Sequence, residues 1–185
     1  MITYSSGFIG NFKLGDNIVH NLAILRELYV AQNSGTPERA ELLRKPIIVF
    51  CGAIAEAILY DLYVVKISNF TIEGVPNIPQ EVLDEIRTKT IDEFSKYISN
   101  ARSNSLLGVA SDLYDSLDEL RKLRNRVHIQ NTRQHFELDE SNAFNGIRQI
   151  EAQRTLEQLI AYMSANHLRS QSRQCVAEFD LPWGQ

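Results

Sequence analysis

The chain has 185 residues, 44% hydrophobic and 23% charged, which is enough for one well-buried domain and too few for two of ordinary size. A net charge of −4 and a pI near 5.6 exclude global attraction to nucleic acid, so any such binding must come from a local basic patch. The two cysteines, Cys51 and Cys175, are far apart and form no CxxC or metal-like spacing, as in a reduced, cytoplasmic protein.

In chain order, residues 1–10 lack the basic start and apolar run of a secretory signal. A first helix is expected from about Asp16 to Gln32, with Ile18, Leu22, Leu25, Leu28 and Tyr29 on one face and Asn33-Ser34-Gly35 ending it. Thr36-Pro37-Glu38 restarts the chain as a cap followed by proline at the first helical position. Pro46 is expected to kink the next helix or to separate a short helix from the apolar one after it. From Ile47 to Val65 the chain is almost continuously apolar, but Glu56 and Asp61 inside the run would be costly in hydrocarbon. The run therefore predicts a buried central helix ending near Ser68, and no membrane span.

Residues 69–79, with Gly74, Pro76, Asn77 and Pro79, predict a loop. A helix over Gln80–Ala101 should turn Val82, Ile86, Ile91, Phe94 and Ile98 inward, and Asn104-Ser105 should start another that carries Leu106, Val109, Leu113, Leu117 and Leu120 to about Ile129. After a brief extended stretch at His135–Leu138, a long helix over Glu140–Asn166 is expected to bury Phe144, Ile147, Ile150, Leu156, Leu159, Ile160 and Met163. Residues 167–185 then form a C-terminal tail, polar at first and irregularly apolar around Phe179, Leu181 and Trp183. Strand-like alternation is nearly absent. The expected fold is all-α, an antiparallel bundle of four or five helices forming a single domain over 1–166.

The segment that suggests chemistry is Leu120-Arg121-Lys122-Leu123-Arg124-Asn125-Arg126-Val127-His128. Arg121, Lys122, Arg124, Arg126 and Arg133 follow the acidic Asp112, Asp115, Asp118 and Glu119, a polarity that also complements a helix dipole. At about 100° per residue with Leu113 at zero, Arg124 falls near 20°, on the axis of the apolar stripe. His128, Arg121 and Asn125 fall near 60°, 80° and 120°, whereas Lys122 and Arg126, near 180° and 220°, point to solvent on this count. Two readings of the wedge stand side by side. Arg124 pairs with Glu56 or Asp61 as an internal ion pair, His128 capping the helix; or histidine and arginine act together on a phosphodiester, with the RNA 2′-hydroxyl as nucleophile.

In its helical setting and its late Leu-Arg-Asn-Arg-Val-His segment, the chain resembles the HEPN superfamily of small α-helical proteins, many of them metal-independent ribonucleases of toxin–antitoxin and phage-defence systems. The family motif is an arginine, commonly followed by a polar residue, with four to six residues before a histidine. Arg124-Asn125 matches the arginine–polar pair but only three residues separate Arg124 from His128; Arg121 has six intervening residues but is followed by Lys122. The resemblance implies a homodimer with the motif helices facing across one cleft, RNA as substrate, and an antitoxin protein as a possible partner. It implies His128 as general acid/base, Arg124 or Arg121 on the phosphate, Asn125 as a positioning residue, and products ending in 2′,3′-cyclic phosphate and 5′-hydroxyl. Some members are inactive and serve as binding modules.

Other residues suggest less. Glu56 among Ala53, Ile54, Ala57 and Ile58 reads either as a buried charge paired to an arginine or as a residue orienting the motif, the structural pairing being favoured. His20, His135 and His167 read as surface or capping residues. No metal site or cofactor is expected, since HxxxH, HxxE, Gly-rich phosphate loops and GxSxG elbows are missing. Phe179 and Trp183 suit docking on the bundle better than base stacking.

Overall fold

The structure, a computed structural model, describes residues 2–63, 78–87, 93–109, 111–128, 139–169 and 177–183. The expected end of the apolar helix near Ser68, the loop before Pro79 and the extended stretch at His135–Leu138 lie wholly or mostly outside these residues.

The described part is mostly helical. Helix α1 (Phe12–Asn33) starts where the Asn11 side chain accepts a hydrogen bond from the Leu14 amide, and it buries Ile18, Leu22, Leu25 and Tyr29. Helix α2 (Pro37–Tyr60) begins as its sequence dictates, with Thr36 accepting from the Arg39 amide and Pro37 in the first turn. Pro46 neither breaks it nor divides it. The adjoining Ile47 and Ile48 are wholly buried, and that packing outweighs one missing backbone bond. Helix α2 packs against α1 and three later helices, so it is the central element, and residues 61–63 extend it as one wider π turn. Among the described residues no helix is long and apolar enough to cross a membrane.

Two shorter helices, α3 (Gln80–Arg87) and α4 (Phe94–Ser103), follow. Here the structure differs from expectation: Asn104-Ser105 ends α4 instead of starting the next helix. Ser105 takes the left-handed conformation (φ 54°), the Leu106 amide donates to the Ala101 carbonyl at 2.9 Å, and that of Ser105 to Arg102 at 3.1 Å. This is a Schellman cap with serine in the position glycine usually fills, held by the burial of Leu106. Tyr114 Oη accepts from the Leu107 amide and donates to the Gly108 carbonyl, both at 2.9 Å, and Val109 is exposed. Helix α5 is therefore only Leu113–Asn125, burying Leu113, Tyr114, Leu117, Leu120 and Leu123.

The last long helix is likewise divided. Asp139 caps the single turn α6 (Glu140–Ala143), Phe144 leaves the helical region, and Asn145 caps α7 (Gly146–Asn166) by accepting from the Arg148 amide. Phe144 stays buried, but Ile147 is 68% exposed and Ile150 is exposed too: at about 100° per residue both fall on the side of α7 opposite Leu156, Leu159 and Met163, which face inward with Ala152, Thr155 and Ile160.

The expected irregular tail is also corrected. Strand β2 (Glu178–Leu181) pairs antiparallel with β1 (Ile2–Ser5), Tyr4 opposite Phe179 and Ile2 opposite Leu181. Phe179 and Leu181 are wholly buried, Phe179 meets the edge of Phe8 at 5.8 Å, and Trp183 donates to Glu157 while its ring leans on Tyr29. Both ends of the described chain thus belong to the core.

A buried ion pair joins these ends to α2. Arg169 Nη2 donates to Asp61 Oδ2 at 2.7 Å and its Nε to the Phe8 carbonyl at 3.0 Å, while the Gly10 and Asn11 amides donate to the same carboxylate. Gly10 lies so close to Arg169 that a Cβ there would fall 2.0 Å from the guanidinium carbon. Asp61→Ala is expected to cost about 3–5 kcal/mol in urea denaturation by leaving Arg169 buried without a counter-charge. Adding Arg169→Met should recover part of that loss; a single variant as stable as the parent would contradict the assignment.

Candidate functional site

The basic segment divides into three environments. At its centre, α5 crosses α2 at Gly52. A Cβ at Gly52 would lie 2.7 Å from Arg124 Cβ and 3.1 Å from its Cγ, so glycine is what lets the helices approach this closely. One turn along α2, Glu56 receives a hydrogen bond and ion pair from Arg124 Nη2, and Arg124 Nη1 donates to Asn125 Oδ1 at 3.0 Å. Of the two expected partners for Arg124, the structure has Glu56 and not Asp61, which pairs with Arg169; the Arg124–Glu56 pair is not sealed, its side chains being 28% and 25% exposed. Partial burial pushes the Glu56 carboxyl above the ordinary range, against the opposing pull of Arg124.

Arg121 turns to its own helix, where Nε and Nη2 both reach Asp118 Oδ1 at 2.8 Å. Partial burial pushes the Asp118 carboxyl up, but hydrogen bonds from Arg121 and Lys122 outweigh it and leave the pKa below the usual value. Lys122 is half-buried and pairs with Asp118 and Glu119.

The expected solvent-facing Arg126 is a correction. It is 8% exposed, its Nε and Nη2 donate to Glu140 at 3.1 and 2.9 Å, and its guanidinium lies over the Phe144 ring. Angle counting fails at this residue because Arg126 is the C-cap of α5, and α6 returns over it. Lys45 joins from α2, pairing with Glu140 and also facing Phe144. Glu140 is thus a clamp among three elements; its partial burial is outweighed by Lys45 and Arg126, which hold its pKa below the ordinary value.

His128 lies beyond the helix. Its amide donates to the Asn125 carbonyl at 3.2 Å in a tighter turn, and its side chain is exposed, with no hydrogen bond among the described residues. Of the four candidate residues, Arg124 and Asn125 are brought together; Arg121 is held by Asp118 and His128 stands apart at the same helix end.

Two features escaped sequence reasoning. The Asp61–Arg169 pair was signalled only by a carboxylate inside an apolar run. His167 is buried at the C-cap of α7, its Nε2 2.9 Å from the Leu106 carbonyl, so it is a core residue in a capping position. His20 is exposed as expected, and His135 lies outside the described residues. Among the described residues no three His, Cys, Asp or Glu side chains gather in a group that could hold a metal ion. A cleft of about 360 Å³ lies on the opposite flank of α5, between Glu119 and Leu123 and the α7 residues Arg148, Glu151 and Thr155, and contains none of the four candidates. No protein-family model, curated protein or solved structure matches the chain.

Gly52→Ala should destabilise by about 1–3 kcal/mol, because the overpacking at Arg124 exceeds the usual gain of alanine over glycine in a helix; a rise in the denaturation midpoint would remove the close approach from the account. Because the Glu140 pKa is lowered in the folded state, its contribution is present above the ordinary glutamate value of about 4.3 and is lost as pH falls through and below it. Stability of Glu140→Gln measured against pH should therefore fall less steeply on the acid side than that of the parent protein, and an identical acid limb would exclude the clamp.

Proposed function

We propose that the protein is a HEPN-type, metal-independent endoribonuclease that works in the cytoplasm as a homodimer, in defence or as a toxin restrained by an antitoxin protein. The observation that carries this reading is Arg124: a guanidinium fixed in place by Glu56 and Asn125, still partly open to solvent, at the helix end that also presents His128. Arginine has five N–H donors in a rigid fork. Among the described residues Glu56 and Asn125 occupy one each, which leaves three for the oxygens of a phosphate.

In the proposed reaction the 2′-hydroxyl oxygen attacks the adjacent phosphorus, forming an O2′–P bond as the P–O5′ bond breaks. The hydroxyl proton passes to a base, and O5′ takes a proton from an acid. Histidine is the residue type suited to both transfers near neutral pH, and in a two-fold dimer the second copy supplies the other group. Arg124 stabilises charge developing on the phosphate, Arg121 lies on the same helix as a second cation, and Asn125 positions Arg124. A helical bundle of four or five antiparallel helices, with two α5 helices facing across the cleft, is the architecture this reading requires.

A second reading, a non-catalytic HEPN module that binds a protein or RNA partner, is favoured by one observation: Arg124 and Arg121 are both already engaged by carboxylates of their own chain. Incubation with RNA in EDTA separates the two. The first reading expects 2′,3′-cyclic phosphate and 5′-hydroxyl ends, and a loss of at least about 100-fold in rate for His128→Ala and for Arg124→Ala, with thermal melts confirming that each variant is folded. Cleavage that persists unchanged in both variants would sink the site assignment, and binding without cleavage by the parent protein would favour the module.

A further inference from the structure

Helix α2 carries one exposed position between Lys45 and Tyr63, and it is an aromatic one: Tyr60, 39% exposed. Tyr60 stands four positions after Glu56, which places them one turn apart on the same helix face, with about 5–6 Å between their Cβ atoms. Glu56 is the residue that holds Arg124. The aromatic ring is thereby anchored one helical turn from the carboxylate that holds the guanidinium.

The ring is also supported from behind. Tyr60 meets Tyr97 of α4 edge to face, with centroids 6.3 Å apart and planes at 72°. Tyr97 is buried, and it stacks on the buried Tyr63 at 5.8 Å with planes at 15°. Two buried rings on two helices thus fix the surface against which Tyr60 rests, so that little side-chain freedom remains to be lost when a flat ligand covers it.

We infer that Tyr60 is a stacking platform for one unpaired base of single-stranded RNA whose phosphate is held at Arg124. The inference rests on the reading of Arg124 as a phosphate-binding group. Its chemistry is that of single-strand recognition generally: a cation takes the backbone, and an aromatic face takes the base whatever its identity. A single platform selects unpaired RNA over duplex, in which the bases are already stacked, and it discriminates weakly among the four bases.

The test uses the full chain and two labelled probes in EDTA, monitored by fluorescence anisotropy. One is a short 2′-O-methyl RNA, which lacks the nucleophile and so reports binding alone; the other is the same backbone without bases. Tyr60→Ala should weaken binding of the first by about 5- to 100-fold and leave the second within about twofold, whereas Tyr60→Phe retains both and Arg124→Gln weakens both. Equal effects of Tyr60→Ala on the two probes, or no effect on either, would overturn the platform, as would a parent protein that binds neither probe. Cleavage of unmodified RNA is followed in parallel. Base-dependent binding through Tyr60 without cleavage leaves the platform standing and removes the ribonuclease reading; cleavage with Tyr60→Ala indistinguishable from the parent on the base-bearing probe does the reverse.

Discussion

A carboxylate at the end of the central helix and a guanidinium beyond the last helix are buried against each other, and the path of the chain depends on that pair. Isolated in the interior, either ion would carry a desolvation penalty of several kcal/mol. Asp61 offsets its share with Arg169 and the Gly10 and Asn11 amides, and Arg169 with Asp61 and the Phe8 carbonyl. These partners come from the turn before α1, the end of α2 and the exit of α7, so satisfying the charges fixes three distant segments at once. The wider turn at 61–63 ends α2 at this pair, and Gly10 is required because any side chain there would occupy the space of the guanidinium. Once these ends are fixed, β1 and β2 can pair and bury Phe179 and Leu181.

The same chemistry, less deeply buried, recurs where α5 crosses α2. Gly52 permits the close approach, Glu56 receives the arginine, and the crossing remains partly open to water. A third acid, Glu140, gathers Arg126 and Lys45 at the end of α5. The three acidic residues that meet cations across α2 and its neighbours differ chiefly in exposure. The sealed pair at Asp61 serves the fold, the clamp at Glu140 holds a helix end, and the pair at Glu56 leaves a guanidinium partly open to solvent.

Local signals in the sequence were legible. Thr36-Pro37 marks the start of α2 through an orphan-amide cap and a proline that needs no donor, and the apolar run after Pro46 marks the central helix. An acidic partner for Arg124 was legible as well, because an arginine on the axis of an apolar stripe needs a counter-charge, but the choice between Glu56 and Asp61 was not, since it depends on Arg169 taking Asp61. What the sequence concealed depends on partners far along the chain. Ser105 reads as a helix start because serine favours N-caps; only the burial of Leu106 makes it a left-handed C-cap instead. The exposure of Ile147 and Ile150 is by contrast a matter of local period: at about 100° per residue both fall on the side of α7 opposite Leu156, Leu159 and Met163, so burying them contradicts the helix itself. Arg126 and His128 were assigned directions by counting past a helix that had already ended.

That early end changes the relation between the arginine and the histidine. Had α5 continued to Ile129, His128 would lie about one turn beyond Arg124 on nearly the same face, and the spacing between them would be fixed by the helix. Instead Arg124 belongs to a helix crossing that Gly52 and Glu56 hold rigid, while His128 belongs to the segment leaving it. In the proposed reaction, a fixed cation and a histidine attached to a separate stretch of backbone would need no set number of residues between them, provided that the exit path brought the imidazole to the phosphate. The three-residue interval is therefore a constraint on the path after Asn125 rather than on helical phase, and the residue that governs that path is Arg126, whose guanidinium Glu140 and Phe144 hold against α6.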